Sequence, residues 1–535
     1  MTHDFLLLLF LLTAMAATAA VARRFDLTPA IAFLVSGLAL AFIPGLPRFE
    51  LAPEVVLLIV LPPLIYSSGV AMSWREFHAN LRPIALLAIG CVVFTTFAVA
   101  AAVHWALGAP WTIGFVLGAI VSPPDVVAPL AIARRLHLPR RILVILEGEG
   151  LANDATALIL YRFAVLAVST GAFSLMKASG YFVLIVACEL FFGIAVGWLS
   201  LRLRHWAHDE RVEIALSLLT PYLAYWVPEH LGGSGVIATV AAGLYVSWNG
   251  PLLISAATRL QGVFFWDLVT WLIEGTLFLL MGFQMRIAME KTKAVPLHNV
   301  VTAVAVTTVM VIAARFVWVF AGTYLERFLT PKLRALDELP DWRHVTVVGF
   351  TGIRGVVSLA VALAVPLSLP NGEEFPYRDM IQFTTFGVVF FTLVGIGTIL
   401  PPLVRLLGLP HHGRSEEVHE REMEIAARRE ILQAARHRLE SIGSRDDVSE
   451  SVMKFLEARQ ETRRRAIPDP PARDGQPHAA THGARLVREL INEERKFLHD
   501  LLRDGKITDE TRRRIERDLD LEEAVVNNRE KNTPL

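Results

Sequence analysis

The chain has 535 residues, 54% of them hydrophobic, and a mean hydropathy of +0.48. A chain this long and this apolar is not an ordinary soluble domain, and the composition predicts an all-α polytopic membrane protein. Lys+Arg and Asp+Glu balance at 51 each, so no nucleic-acid partner is expected, yet about half of these charges follow Gly408. That asymmetry predicts a membrane domain over residues 1–410 and a helical cytosolic tail over 411–535.

At the N-terminus, Leu6 to Ala22 is apolar, preceded by Thr2-His3-Asp4 without a basic residue and followed by Arg23-Arg24. It reads as a first transmembrane helix with its N-terminus outside, not as a cleaved signal peptide. Windows of about 20 apolar residues follow in order. They fall at 5–22, 28–44, 53–72, 83–108, 110–133, 141–168, 180–201, 211–228, 231–248, 263–285, 299–325, 344–369 and 379–409. With the N-terminus outside, inner loops collect sixteen Arg and Lys and outer loops six, which leaves the tail in the cytoplasm. Cys91 and Cys188 lie inside these apolar runs and read as small hydrophobes, not as a disulfide or metal site.

Two windows carry breaks. The fifth contains Ser122-Pro123-Pro124-Asp125, whose prolines remove backbone donors and push the preceding residues out of helical geometry. The twelfth contains Gly349-Phe350-Thr351-Gly352-Ile353-Arg354-Gly355, three glycines around a lone arginine. If two six-helix inverted repeats flank the seventh helix, these are the fifth member of each. Broken helices at matching positions point to a secondary transporter's binding site.

The sixth window supplies Glu147-Gly148-Glu149-Gly150-Leu151-Ala152-Asn153-Asp154. A charge at mid-membrane costs about 3 kcal/mol or more, so such acids are read as part of an ion or proton pathway. At about 1.5 Å per helical residue, Asp125 lies about 14 Å from Arg134, Arg354 about 16 Å from Arg343 and Asp154 about 20 Å from Arg141. All three fall near the middle of a hydrocarbon core about 30 Å thick. Asp154 and Asp125 are therefore the candidate carriers of a small cation or proton, with Asn153 and Ser122 as further, neutral ion-binding candidates. Glu149 and Asn153 share one helical face, Glu147 and Asp154 another. Glu149 is expected to be a structural acid paired with Arg354 or Arg315, and the sequence leaves open which. Glu189, Asp267 and Glu274 either line a funnel or sit near helix ends. Gly232-Gly233-Ser234-Gly235 matches an intramembrane serine protease pattern, but no later helix offers a well-placed histidine, so an enzyme is not expected.

These segments resemble motifs of the monovalent cation:proton antiporter family, in its bacterial branch related to the NhaP sodium/proton exchangers. Ser122-Pro123-Pro124-Asp125 is similar to the family's fifth-helix Thr-Asp-Pro segment, and Glu147 to Asp154 to its Glu-Ser-Leu-x-Asn-Asp segment. Gly352-Ile353-Arg354-Gly355 is similar to its twelfth-helix Gly-Leu-Arg-Gly segment. The resemblance spans about residues 1–410 and departs where Pro124 replaces threonine, Val126 proline, Gly150 serine, and Ser67 a frequent glutamate. It implies alternating-access exchange of sodium for protons, electroneutral, with Asp154 binding one or the other. Potassium/proton exchange is the close alternative, and a transport-inactive scaffold signalling through its tail is the rival from another class. The expected partners are sodium, with lithium or potassium as further cations, protons, the lipid bilayer and a second copy in a homodimer. The expected setting is a bacterial cytoplasmic membrane, and no cofactor or metal is implied beyond the transported cation.

In the tail, Glu416 to Ile442 reads as an amphipathic helix and Pro468 to Pro477 as a linker. Leu486 to Leu502 and Asp509 to Val526 read as further helices, the last with Thr508 as its N-cap. The clusters Arg463 to Arg465 and Arg512 to Arg514 read as solvated faces, with anionic lipid as the functional alternative. No segment resembles a nucleotide-binding motif.

Overall fold

The computed structural model describes residues 2–25, 27–43, 53–170, 175–291, 296–329, 340–370, 372–443, 449–465, 478–504, 506 and 508–531. Each of the thirteen apolar windows corresponds to a helix, unbroken or split. These are α1 (Thr2–Arg24), α2 (Pro29–Ala41), α3 (53–71), α4 (Leu81–Leu107) and a split fifth helix, α5a (Trp111–Val121) and α5b (Val127–Arg135). There follow α6 (Arg140–Thr170), α7 (Leu175–Ala207), α8 (Glu210–His230), α9 (Val236–Leu253), α10 (Ala256–Lys291) and α11 (His298–Leu325). A second split helix, α12a (Trp342–Phe350) and α12b (Val356–Leu363), precedes α13 (Arg378–Leu406). With α7 between them, α1 to α6 and α8 to α13 place the two split helices at equivalent positions. Among the described residues the only β-pairing is a single bridge, Ser368 with Glu374.

Lipid is as apolar as leucine, so these helices gain little by hiding hydrophobes from it and associate through close packing. α2 and α10 approach so closely that a side chain at Gly37 would run into the Leu279 carbonyl. On α6 the polar residues separate cleanly: Glu149 and Asn153 are fully buried, whereas Glu147 and Asp154 face a cavity. π-helical turns interrupt α3, α4 and α13 and form the last turn of α11. The one in α13 presents the Thr392 hydroxyl to the backbone N–H of Arg354, 3.1 Å away, and so anchors the break in the twelfth helix.

The chain divides into two compact units, Met1–Glu416 and Glu417–Leu535. The second contains most of α14 (Leu409–Gly443), with α15 (Glu450–Arg465), α16 (His478–Arg503) and α17 (Asp509–Lys531). α16 and α17 bury Ile491, Leu498 and Leu519 between them, and Arg495 pairs with Asp520 at 2.5 Å and Glu523 at 2.6 Å. Thr508 caps α17, its hydroxyl accepting from the N–H of Thr511 at 3.2 Å. α15 was not expected: Val452, Met453, Phe455 and Leu456 are too few among its charges to form a convincing stripe. The expected linker at Pro468 to Pro477 lies outside the described residues.

Candidate functional site: two broken helices crossing at a pair of aspartates

The breaks in the fifth and twelfth helices meet. The backbone N–H of Asp125 donates to the carbonyl of Ile353 at 2.7 Å, joining the two unwound segments directly. Four helix ends therefore converge, each carrying about half an elementary charge, positive at N-termini and negative at C-termini. The chain answers both signs. Arg354, 1% exposed, donates to the carbonyls of Val121 at 2.8 Å and Ser122 at 3.2 Å, at the C-terminal end of α5a. It also bonds the Gly352 carbonyl within its own break. At the opposite pole, Asp125 caps α5b by accepting from the N–H of Val127 at 3.0 Å. Its carboxylate also lies against Gly355 at the start of α12b, where any side chain would collide with it.

Asp154 approaches this crossing from α6, near enough to Asp125 for their charges to interact. No described residue donates a hydrogen bond to its carboxylate, unlike that of Asp125. Both aspartates line a cavity of 720 Å³, together with Ser358 of α12b and Glu274 of α10. Arg134, Arg204 and Arg259 line the same cavity, and Arg134 is paired with Glu147 at 2.6 Å. Beyond Asp154 the other end of α6 is tied shut: Arg162 bonds Glu229 at 2.5 Å and the carbonyls of Gly232 at 3.0 Å and Gly233 at 2.7 Å.

Glu149 settles on Arg315. The pair is bidentate, at 2.6 and 2.9 Å, with exposures of 0% and 1%, and Arg315 also reaches the Val348 carbonyl and the Thr351 hydroxyl. Arg354 takes no part in it, because its donors are committed to helix-end carbonyls. A buried ion pair is tolerable only when its remaining hydrogen bonds are also met, and here they are.

The pattern that defines the transmembrane domain of sodium/hydrogen exchangers matches residues 9–406. This chain belongs to the sodium/hydrogen exchanger family. It is 35% identical over 518 residues to a Mycobacterium tuberculosis protein named as an uncharacterized Na+/H+ exchanger, covering 94% of this chain and 92% of that one. It is 33% identical over 413 residues to the sodium, potassium, lithium and rubidium/H+ antiporter of Bacillus subtilis, covering 75% of this chain and 61% of the relative. The solved sodium proton antiporter MjNhaP1 of Methanocaldococcus jannaschii shares the fold, with a TM-score of 0.60 at 16% identity, covering 76% of this chain and 99% of that one.

The other sequence candidates of this exchanger take more local places. The Ser122 hydroxyl donates back to the Ala119 carbonyl at 3.1 Å, and Ser122 does not line the cavity. Asn153 donates to the Pro124 carbonyl at 2.7 Å, securing α6 to the break, while its own carbonyl oxygen is buried without a partner. Glu189 caps α9, accepting from the N–H groups of Ser234 at 2.6 Å, Gly235 at 3.2 Å and Ile237 at 3.2 Å. The Gly-Gly-Ser-Gly segment is thus a capping turn, and its serine hydroxyl faces a carboxylate. Ser358 was missed among the candidates. Its signal was its place four residues after Arg354, one turn into the half-helix that begins at the break.

Proposed function

We propose that this chain exchanges sodium for protons across a bacterial cytoplasmic membrane, with Asp154 as the carrier. The observation that carries this is the placement of Asp154, unpartnered, where two broken helices cross at the inner end of a cavity. A carboxylate free of protein donors can take a proton or a cation, and the two compete for the same oxygens. Asp125 is engaged as a helix cap, so it shapes the field and offers its second oxygen to the cation. Ser358 contributes a neutral oxygen beside them. Arg354 and Arg315 spend their charge on helix ends and on Glu149, which leaves the aspartates attractive to cations. In this reading the positive-inside bias puts Arg134, Arg204 and Arg259 on the cytoplasmic side, so the protein is inward-facing and Arg162 seals the outer side. Alternating access requires that seal to part while the inner cavity closes. One exchanging carboxylate moves one proton per monovalent cation, hence no net charge. A second copy completes the expected homodimer.

Potassium/proton exchange is the second reading, favoured by the broad cation range in the name of the Bacillus subtilis relative. Proteoliposomes holding a proton gradient, reported by a pH-sensitive dye, separate the two. Sodium and lithium should dissipate the gradient at lower concentration than potassium does. Potassium acting at the lowest concentration would establish the second reading, and no dissipation by any of the three would overturn antiport.

A further inference from the structure

Asp125 and Asp154 are not the only carboxylates at the inner end of the cavity. Glu274 stands on α10, a helix belonging to neither broken element, on the stripe that includes Asp267, Thr270 and Phe278 at spacings of three and four. The adjacent Gly275 packs against Met15 of α1 and Phe33 of α2, while Glu274, about 100° further round the helix, lines the cavity. Counting from Arg259, which also lines the cavity, Glu274 lies 15 residues further along α10, about 22 Å at the helical rise. Its charge interacts with that of Asp125. No described residue gives it a hydrogen bond or an ion pair. Of the other acids that the sequence places in the membrane near this site, Glu149 holds Arg315, Glu147 holds Arg134 and Glu189 caps α9, while Asp267 lines the cavity seven residues, about 10 Å, nearer Arg259.

We propose that Glu274 is a further determinant of cation affinity for this exchanger, an acid on the cavity wall shared with Asp125 and Asp154 that, when ionised, strengthens the binding of sodium and of protons alike. The proposal rests on the antiport reading above and adds a residue to it. An intramembrane acid without a partner is costly and calls for a role. A cation passing through the cavity supplies the positive charge that the protein does not. The charged groups on the cavity wall are Asp125 and Arg134 of the fifth helix, Glu147 and Asp154 of α6, Arg204 of α7, and Arg259, Asp267 and Glu274 of α10. Among the described residues, α1, α2, α3, α8, α12b and α13, which pack on α10, contribute no charged side chain to that wall. Glu147 is neutralised by Arg134, and Arg259 binds the carbonyls of Pro251 and Ile254. Near the aspartates, the uncompensated charge to remove is therefore Glu274.

The test is Glu274→Gln in the full chain, read by protons released when sodium is added to the purified protein in weak buffer across a pH series. Removing one negative charge should raise the half-saturating sodium concentration roughly tenfold at alkaline pH, equivalent to about 1.4 kcal/mol. Proton affinity should fall by the same factor, so the proton competes about one pH unit lower and the wild-type and variant curves converge at acid pH. Glu274→Asp should recover most of the affinity. An unchanged sodium dependence across the series would overturn the proposal. So would an equal loss at every pH that Glu274→Asp fails to rescue, because that is the signature of a packing defect. Release by the wild-type protein without exchange in vesicles would sink the antiport reading and leave the role of Glu274 to be judged by the same curves.

Discussion

Asp154→Asn should abolish sodium-driven proton release and leave the thermal stability of the purified protein at or above wild type. Asparagine keeps the volume but has no exchangeable proton within the working range of pH and no charge to hold sodium. No described residue donates to the Asp154 carboxylate, so the change orphans no hydrogen bond, and it removes repulsion with Asp125. The two readouts must therefore part: transport lost by at least the hundredfold typical of a missing proton-transfer group, melting temperature kept. Folded Asp154→Asn protein that still exchanges would transfer the carrier role to Asp125. Unfolded Asp154→Asn protein would mean that the carboxylate is structural.

Glu149→Ala should do the reverse. It leaves Arg315, 1% exposed, with an uncompensated charge, a change that costs about 3 to 5 kcal/mol in buried pairs. Yield and melting temperature in detergent should fall together. Because Arg315 also secures the Val348 carbonyl and the Thr351 hydroxyl at the break, the loss spreads to the twelfth helix. Glu149→Leu combined with Arg315→Met should recover part of the stability, since an apolar pair of similar volume removes both charges. If Glu149→Ala is as stable as wild type and changes only sodium affinity, Glu149 belongs to the transport site.

The membrane helices were legible because hydropathy and proline act locally. Thirteen windows and two breaks follow from runs of apolar residues, from Pro123-Pro124 and from the glycines around Arg354. The separation of Glu149 and Asn153 from Glu147 and Asp154 follows from the helical period alone. What the sequence left open depends on how helices approach in space. Arg315 and Arg354 are equivalent in composition, and only the crossing makes one an ion-pair partner and the other a cap for the end of α5a. Ser122 reads as a ligand by its place beside the prolines, yet its hydroxyl stays within its own helix. Ser358 enters because α12b turns it to the cavity, and the cavity decides between the two readings that the sequence left to Glu274. In the tail, α15 was missed because a solvated helix with a sparse apolar stripe leaves little periodic signal.

The most direct test of the account measures sodium entry and proton exit together, in the same proteoliposomes, with valinomycin and potassium holding the membrane potential at two values. One radiolabelled sodium ion should enter for each proton that leaves, at rates the potential does not change, and Asp154→Asn should abolish both fluxes at once. Sodium entry without proton exit would contradict exchange on a shared carboxylate.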